Sequence, residues 1–308
     1  MWFFVEDGRW TAARSCPSAL ASGTWLLFGA GQRDVVLVRR ARVVGQRNLV
    51  RVRRVCVLTS SSRILLDAGD PNVTDYISHL KRVIMDERIF INDIIVSHWH
   101  HDHVGGVDDV LDAIENGKSC KVWKYPRNDA PEPVLKNATL QELKNGQKFV
   151  VDGSTLEVIH TPGHTTDHIV IYLHEDKSLF SADCILGEGS TVFEDLYDYM
   201  KSLQLISNIN PSVIYPGHGN IINDPKERIT MYINHRNQRE AHILAALEQH
   251  PEETFDEMQL VKLIYKDTPE QLWPAAALNV NVILTKLFKE KKVAKENAGW
   301  KYGQTASL

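Results

Sequence analysis

A chain of 308 residues with 43% apolar content and a formal charge of −4 is long enough to bury one full α/β core and leave material for a small second domain. No apolar run approaches the roughly 18 to 20 residues of a membrane span. The four cysteines (Cys16, Cys56, Cys120, Cys184) lack CxxC spacing, which excludes a disulfide framework and a zinc ribbon and points to a reducing compartment.

Charge is uneven along the chain. Residues 1–60 hold ten Arg, no Lys and three acids, a balance of +7, so residues 61–308 carry −11. The acidic body argues against broad electrostatic capture of nucleic acid, which needs basic patches. The segment 1–57, rich in Arg, Trp, Ala and Gly, reads as sequence from an alternative or aberrant first exon. A transit presequence is the second reading, with Glu6 and Asp7 placed against it. Within it, Leu49 to Leu58 alternates apolar and Arg residues like a strand.

Beyond that segment the pattern is regular. Residues 63–66 read as a strand ending in Asp67, residues 73–86 as a helix with Val73, Ile77, Leu80 and Ile84 on one face, and residues 94–96 as a strand. After Gly105-Gly106 a helix presents Val107, Val110, Leu111 and Ile114 and stops at Asn116-Gly117. Short strands at 121–125 and 148–151 flank a Pro-rich loop; strands follow at 156–161, 179–182 and 212–215, and a helix at 194–207. From Pro225 the chain turns helical over 226–249, 255–265 (capped near Thr254) and 269–290, then ends in a hairpin pairing 293–295 with 300–302. Strands in two series, each followed by helices, fit two sheets packed face to face with helices outside. Three helices and a hairpin give a winged-helix outline.

Four of these strands end in metal-type donors. The run Ile94-Ile95-Val96 leads into His98, His100, Asp102 and His103; residues 156–161 lead into His164; 179–182 into Asp183; 212–215 into His218. Strands that end this way can aim their tips at one point, and neutral imidazole with carboxylate suits zinc. Cys184, beside Asp183, reads as a small apolar residue beneath such a site. His168 reads as a structural hydrogen-bonder, and His101 as solvent-facing on an extended loop. His235, Arg236 and Arg239, at helical spacing just beyond the His218 loop, are equally suited to touching a phosphate and to capping loops. Lys286, Lys289, Lys291, Lys292, Lys295 and Lys301 make the end of the chain locally basic, a short phosphate grip.

LLDAGD (65–70), SHWHHDH (97–103), TPGHTTDH (161–168), SADC (181–184) and YPGHG (215–219) resemble, in order, the motifs of the metallo-β-lactamase superfamily. GEGSTVFEDLYDYMKSL (187–203) and NHRNQRE (234–240) are similar, more narrowly, to a mitochondrial endoribonuclease branch of it. The resemblance covers about residues 58–308. It implies an αββα sandwich over 58–225 and a winged-helix-like domain over 226–308. It further implies two zinc ions, one on His98, His100 and His164, the other on Asp102, His103 and His218, with Asp183 between them and Asp67 orienting the ligand loop.

The implied activity is hydrolysis of single-stranded RNA in the mitochondrial matrix by a hydroxide bridging the metals, with Asp102 able to take up a proton and His235 as the candidate proton donor. A nearly identical ligand set serves thioesterases of the hydroxyacylglutathione hydrolase type, which is the alternative. The family opens with a Pro-Gly, Thr and Asn-Thr-Tyr type stretch that segment 1–57 lacks. The first hairpin of the sandwich is therefore expected to be altered or missing, and an impaired, binding-only chain is a third reading.

Overall fold

The computed structural model describes residues 62–151, 153–266, 268–296 and 299–303, and the backbone of four short strands ahead of them. Those four are β1 (Trp2–Glu6), β2 (Arg9–Ala13), β3 (Thr24–Phe28) and β4 (Val35–Arg39). Then come β5 (Ser62–Leu66), α1 (Thr74–Glu87), β6 (Phe90–Val96), α2 (His101–Val104), α3 (Val107–Ala113), β7 (Lys121–Lys124) and β8 (Leu140–Glu142). A second series holds β9 (Lys148–Val151), β10 (Ser154–His160), β11 (Ile169–Leu173), β12 (Ser178–Ala182), α4 (Leu196–Ile209) and β13 (Val213–Pro216). The chain finishes with α5 (Pro225–Glu248), α6 (Glu257–Ile264), α7 (Trp273–Lys289), β14 (Val293–Glu296) and β15 (Gly299–Tyr302).

Two large sheets result, ordered β4-β3-β5-β6-β7-β8 and β13-β12-β11-β10-β9, beside the two-stranded pairs β1-β2 and β14-β15. Because successive strand side chains point to opposite faces, each central strand feeds two cores. Ile64 and Leu66 of β5 and Ile95 of β6 face inward, meeting Leu156, Val158, Ile169, Ile171 and Phe180 of the second sheet. Their neighbours Leu65, Ile94 and Val96 face outward beneath α1 and α3. On the far side Val170, Leu179 and Ile214 pack under α4, α5, α6 and α7. The expected αββα sandwich is therefore present, with β14 and β15 pairing as the wing of the helical end.

Several local readings need correcting. At the edge of the first sheet β3 pairs with β5 and with β4, so strands of the divergent segment stand where the family's first hairpin was expected to be altered or missing, and the pairing agrees with an altered one. The stretch 49–58, the expected substitute, lies outside the described residues. His101 opens α2 where an extended loop was expected, yet its side chain is still 75% exposed, beside Asp70. The cap of α6 is Asp256, not Thr254: its carboxylate accepts from Gln259 N, and the Gln259 side chain returns to Asp256 N in a capping box. β11, IVIYL, reads as a continuous apolar run without a period, and β8 is only three residues long.

Phe180 is 3% exposed at the centre of the inter-sheet core. Phe180→Ala is expected to cost about 3 to 5 kcal/mol, read as a lower denaturation midpoint with an unchanged slope.

Candidate metal centre

β10, β12 and β13 all run in one direction, since β12 pairs parallel with β13 and antiparallel with β11, which is itself antiparallel to β10. Their ends, with the end of β6, bring His164, Asp183, His218 and the 98–103 turn together. Two donor groups form, His98, His100, His164 and Asp183 in one, Asp102, His103 and His218 in the other. All seven residues expected as ligands are thus in the clusters; His235 and Cys184 are in neither.

In the first group His98 Nε2, His100 Nδ1 and His164 Nε2 lie 3.0, 3.1 and 3.2 Å from one another. Such spacing is close to the edge of about 3.3 Å that a tetrahedral ion with bonds of about 2.0 Å gives its nitrogen ligands. In the second group His218 Nε2 is 3.1 Å from Asp102 Oδ2, and His103 Nε2 is 3.7 Å from it. Asp183 spans both: Oδ2 lies 3.7 Å from His164 Nε2, while Oδ1 lies 3.3 Å from His103 Nε2 and 3.4 Å from His218 Nε2.

The remaining nitrogens are held from behind. Asp67 Oδ2 is 2.7 Å from His103 Nδ1, and the same carboxylate accepts from Ser97 N and Ser97 Oγ. Ser97 Oγ also sits 2.9 Å from His98 Nδ1. His164 Nδ1 donates to the Val192 carbonyl at 2.7 Å. Each contact leaves Nε2 free to face its cluster. Asp67 adopts φ 58°, a left-handed conformation that is uncommon outside glycine and concentrates at functional sites. Gly217 is required because a Cβ there would meet Asp183 Oδ1 at 2.6 Å.

The donor set fits divalent metal ions of the zinc type. Imidazole and carboxylate predominate, and the buried atoms His103 Nε2 and Asp183 Oδ1 have no hydrogen-bond partner within the protein. Protonation divides the two groups. Burial, reinforced by neighbouring imidazoles, pushes His98 well down and His100 down to about 4, so the imidazoles of the first group are neutral and ready to coordinate. Burial opposes a raised pKa at His103 and His218, but Asp183 overrides it at both, helped by Asp67 at His103 and by Asp102 at His218. His103 stands well above its usual range and His218 at about 10. Asp102 is held down to about 2 against burial by its bond to His218, so it stays ionised and is a poor proton acceptor.

Other expected residues sort as follows. His168 is structural: Nδ1 lies 2.9 Å from Thr161 Oγ1, and Nε2 accepts from Asp183 N at 3.2 Å. Cys184 is fully buried and its thiol is pushed up to about 12 by burial, as suits a packing residue. His235 accepts from Arg239 Nε at 3.4 Å, and burial with Arg239 and Arg236 lowers it to about 4. A ring lowered to about 4 is neutral near pH 7, which speaks against the expected role of His235 as proton donor. Arg236 is 5% exposed and turned inward, unable to grip a phosphate. The basic end is largely neutralised internally: Lys286 pairs with Glu240 and Glu290, Lys289 with Asp195, Lys292 with Glu240 and Glu290, and Lys301 with Glu252. The expected phosphate grip is absent from these four lysines.

What sequence reading missed is the 186–194 stretch as a structural partner of the site, through Val192 and through Gly187, whose N–H donates to His218 O. It also missed Lys124, buried against Asp167 at 2.7 Å, which ties the end of β7 to the His164 loop. The available signal was a lysine two residues after Val122, and so on the face of β7 that Val122 buries.

Residues 44–218 match the model of the metallo-beta-lactamase superfamily, and residues 257–300 that of a beta-lactamase associated winged helix domain. The chain belongs to the metallo-β-lactamase superfamily. It is 50% identical over 238 residues to a protein of Drosophila melanogaster named beta-lactamase-like protein 2 homolog, covering 76% of this chain and 81% of that one. A Caenorhabditis elegans protein of the same name is 45% identical, covering 75% and 77%. An atrochrysone carboxyl ACP thioesterase of Aspergillus fumigatus is 31% identical, covering 80% and 73%. Among solved structures, a beta-lactamase domain protein from Burkholderia ambifaria shares the fold with a TM-score of 0.64 at 16% identity, covering 95% and 96%.

Because His103 and His218 hold protons near neutrality, a cation entering the second group must displace them, whereas the first group loads without proton release. Zinc titrated in buffers of different ionisation heat is expected to show release of about two protons for one equivalent only, and that equivalent weakens steeply, up to about a hundredfold per pH unit, as pH falls from 8 to 6. Equal proton release by both equivalents contradicts the assignment.

Proposed function

We propose that this protein is a zinc-dependent endoribonuclease that hydrolyses phosphodiester bonds of single-stranded RNA, acting in the mitochondrial matrix with two ions per chain. The observation that supports it is Asp183, whose two oxygens face the two donor groups, as a carboxylate shared by a pair of cations would. Bound there, the ions would supply Lewis acidity toward a phosphoryl oxygen and lower the pKa of a water. The chain's own residues do the rest. Asp67, Ser97 and the Val192 carbonyl fix which imidazole nitrogens face the reacting atoms, and Asp183 sets the separation of the two positions.

Recession of the donors favours a single strand. His98, His103, His164 and Asp183 are exposed by only 0, 2, 5 and 8%, so the scissile group must enter a recess. A flexible strand can lower one phosphate into it; a stiff duplex would have to deform. The matrix assignment rests on the resemblance of residues 187–203 and 234–240 to the mitochondrial endoribonuclease branch, and protease-protected recovery with mitochondria is the expected outcome of fractionation.

Thioester hydrolysis is a second reading, favoured by the fungal relative named a thioesterase. The same centre would act on a thioester carbonyl. The two separate experimentally: zinc-loaded protein is assayed on single-stranded RNA and on S-lactoylglutathione beside Asp102→Ala and His103→Ala. RNA cleavage is expected to fall by more than about a hundredfold in both variants, beyond the loss of an outer hydrogen-bond partner. Cleavage of the thioester alone would overturn the RNA reading, and cleavage of neither would overturn both.

A further inference from the structure

The stretch 186–194 links the two ligand groups. At one end Gly187 N donates to His218 O at 2.9 Å; at the other Val192 O accepts from His164 Nδ1, and Glu194 N donates to Gly163 O at 2.8 Å. Irregular backbone holds such a place only if its own polar groups are tied down, and here one helix ties three of them, Leu186 N, Leu186 O and Gly189 O.

Arg228, Tyr232 and Arg236 recur at four-residue intervals along α5 and therefore share one stripe of it. Arg228 donates from Nε and Nη2 to Leu186 O at 3.1 and 2.9 Å, and from Nη2 to Gly189 O at 3.1 Å. The Tyr232 hydroxyl donates to Gly189 O at 3.1 Å and accepts from Leu186 N at 3.2 Å. Arg236 places its guanidinium 4.7, 4.9 and 5.5 Å from the rings of Tyr232, Tyr199 and Phe193, which pins the residue after Val192. Phe193 also stacks on Tyr199. α5 lies between the spans matched by the two family models, outside both.

The geometry points to the Arg228–Tyr232–Arg236 stripe as a set of positioning residues for the metal centre: it holds 186–194 in the one arrangement that presents the Val192 carbonyl to His164 and keeps the His218 loop in place. The inference rests on the metal reading of the site and not on which substrate is cut. Hydrogen bonds behind a ligand are worth about tenfold to a hundredfold in metal affinity. Removing their support is expected to cost at the lower end.

The test is zinc affinity, measured by competition with a chromophoric chelator, beside thermal melting in EDTA, for Arg228→Met, Arg228→Lys and Tyr232→Phe. Tyr232→Phe keeps the ring and loses one hydroxyl, so it folds even if Arg228 variants do not. Lys286→Met, which breaks an ion pair between α5 and α7, is the control for stability alone. All three stripe variants are expected to bind zinc about tenfold more weakly with little change in metal-free melting, and Lys286→Met to melt earlier with unchanged zinc affinity. Zinc affinity within about twofold of the parent in Tyr232→Phe and Arg228→Met would overturn the inference, as would full rescue by Arg228→Lys, which keeps the charge without the fork. A parent chain that takes up no zinc would defeat the metal centre itself, a failure visible before any variant is compared.

Discussion

One carboxylate carries the architecture of this site. Asp183 stands at the end of β12, a strand buried along its whole length because sheet neighbours flank it and apolar layers cover both its faces. Its two oxygens face different groups of imidazoles, and every neighbour is shaped to allow that. Ala182 takes φ 41° so that the chain can turn as the strand ends. His168 accepts the Asp183 N–H, fixing the backbone, and Gly217 leaves out the one carbon that would collide with Oδ1. Two separated acids in its place would leave the spacing of the groups to the packing of distant loops; one shared acid ties it to the length of a carboxyl group.

The two groups around it are not electrostatically alike. Three imidazoles with nitrogens about 3 Å apart resist protonation, because burial and mutual repulsion act in the same direction. On the other side Asp102 and Asp67 join Asp183, and three acids around two imidazoles favour the protonated rings in spite of burial. The two protonated rings offset most of the charge of the three acids, so the carboxylates are not left bare in a dry interior, and a cation entering the second group would have to replace those protons.

The ligands were legible in the amino-acid sequence because each follows an apolar run ending in a short polar tip, and such tips converge when the strands run parallel. Layer order was legible from the same runs. The parts that escaped have a physical reason. The run at 169–173 is covered on both faces and so has no period to detect. Residues 101–104 form one helical turn too brief to announce itself. Arg236 and His235 carry polar side chains at spacing that suits a surface contact as well as a scaffold, and only the rings of Phe193, Tyr199 and Tyr232 around the guanidinium decide between the two. Lysines near the end of the chain looked free because, Glu290 apart, their acids, Glu240, Asp195 and Glu252, lie many residues away.

Those same lysines hold the elements of the helical end to one another. Lys286 is buried between Glu240 of α5 and Glu290, and Lys292 meets both acids from the other side, so α7 and the approach to the wing are locked to α5 by a network in place of a single exposed pair. Networks of partly buried charges resist the screening that weakens isolated surface pairs. α5 in turn grips 186–194 through hydrogen bonds to backbone carbonyls, whose strength depends on position and not on the identity of the residues gripped. The sequence between Gly187 and Glu194 is thereby free to vary its outward side chains, such as the exposed Val192, without disturbing the carbonyl that His164 meets.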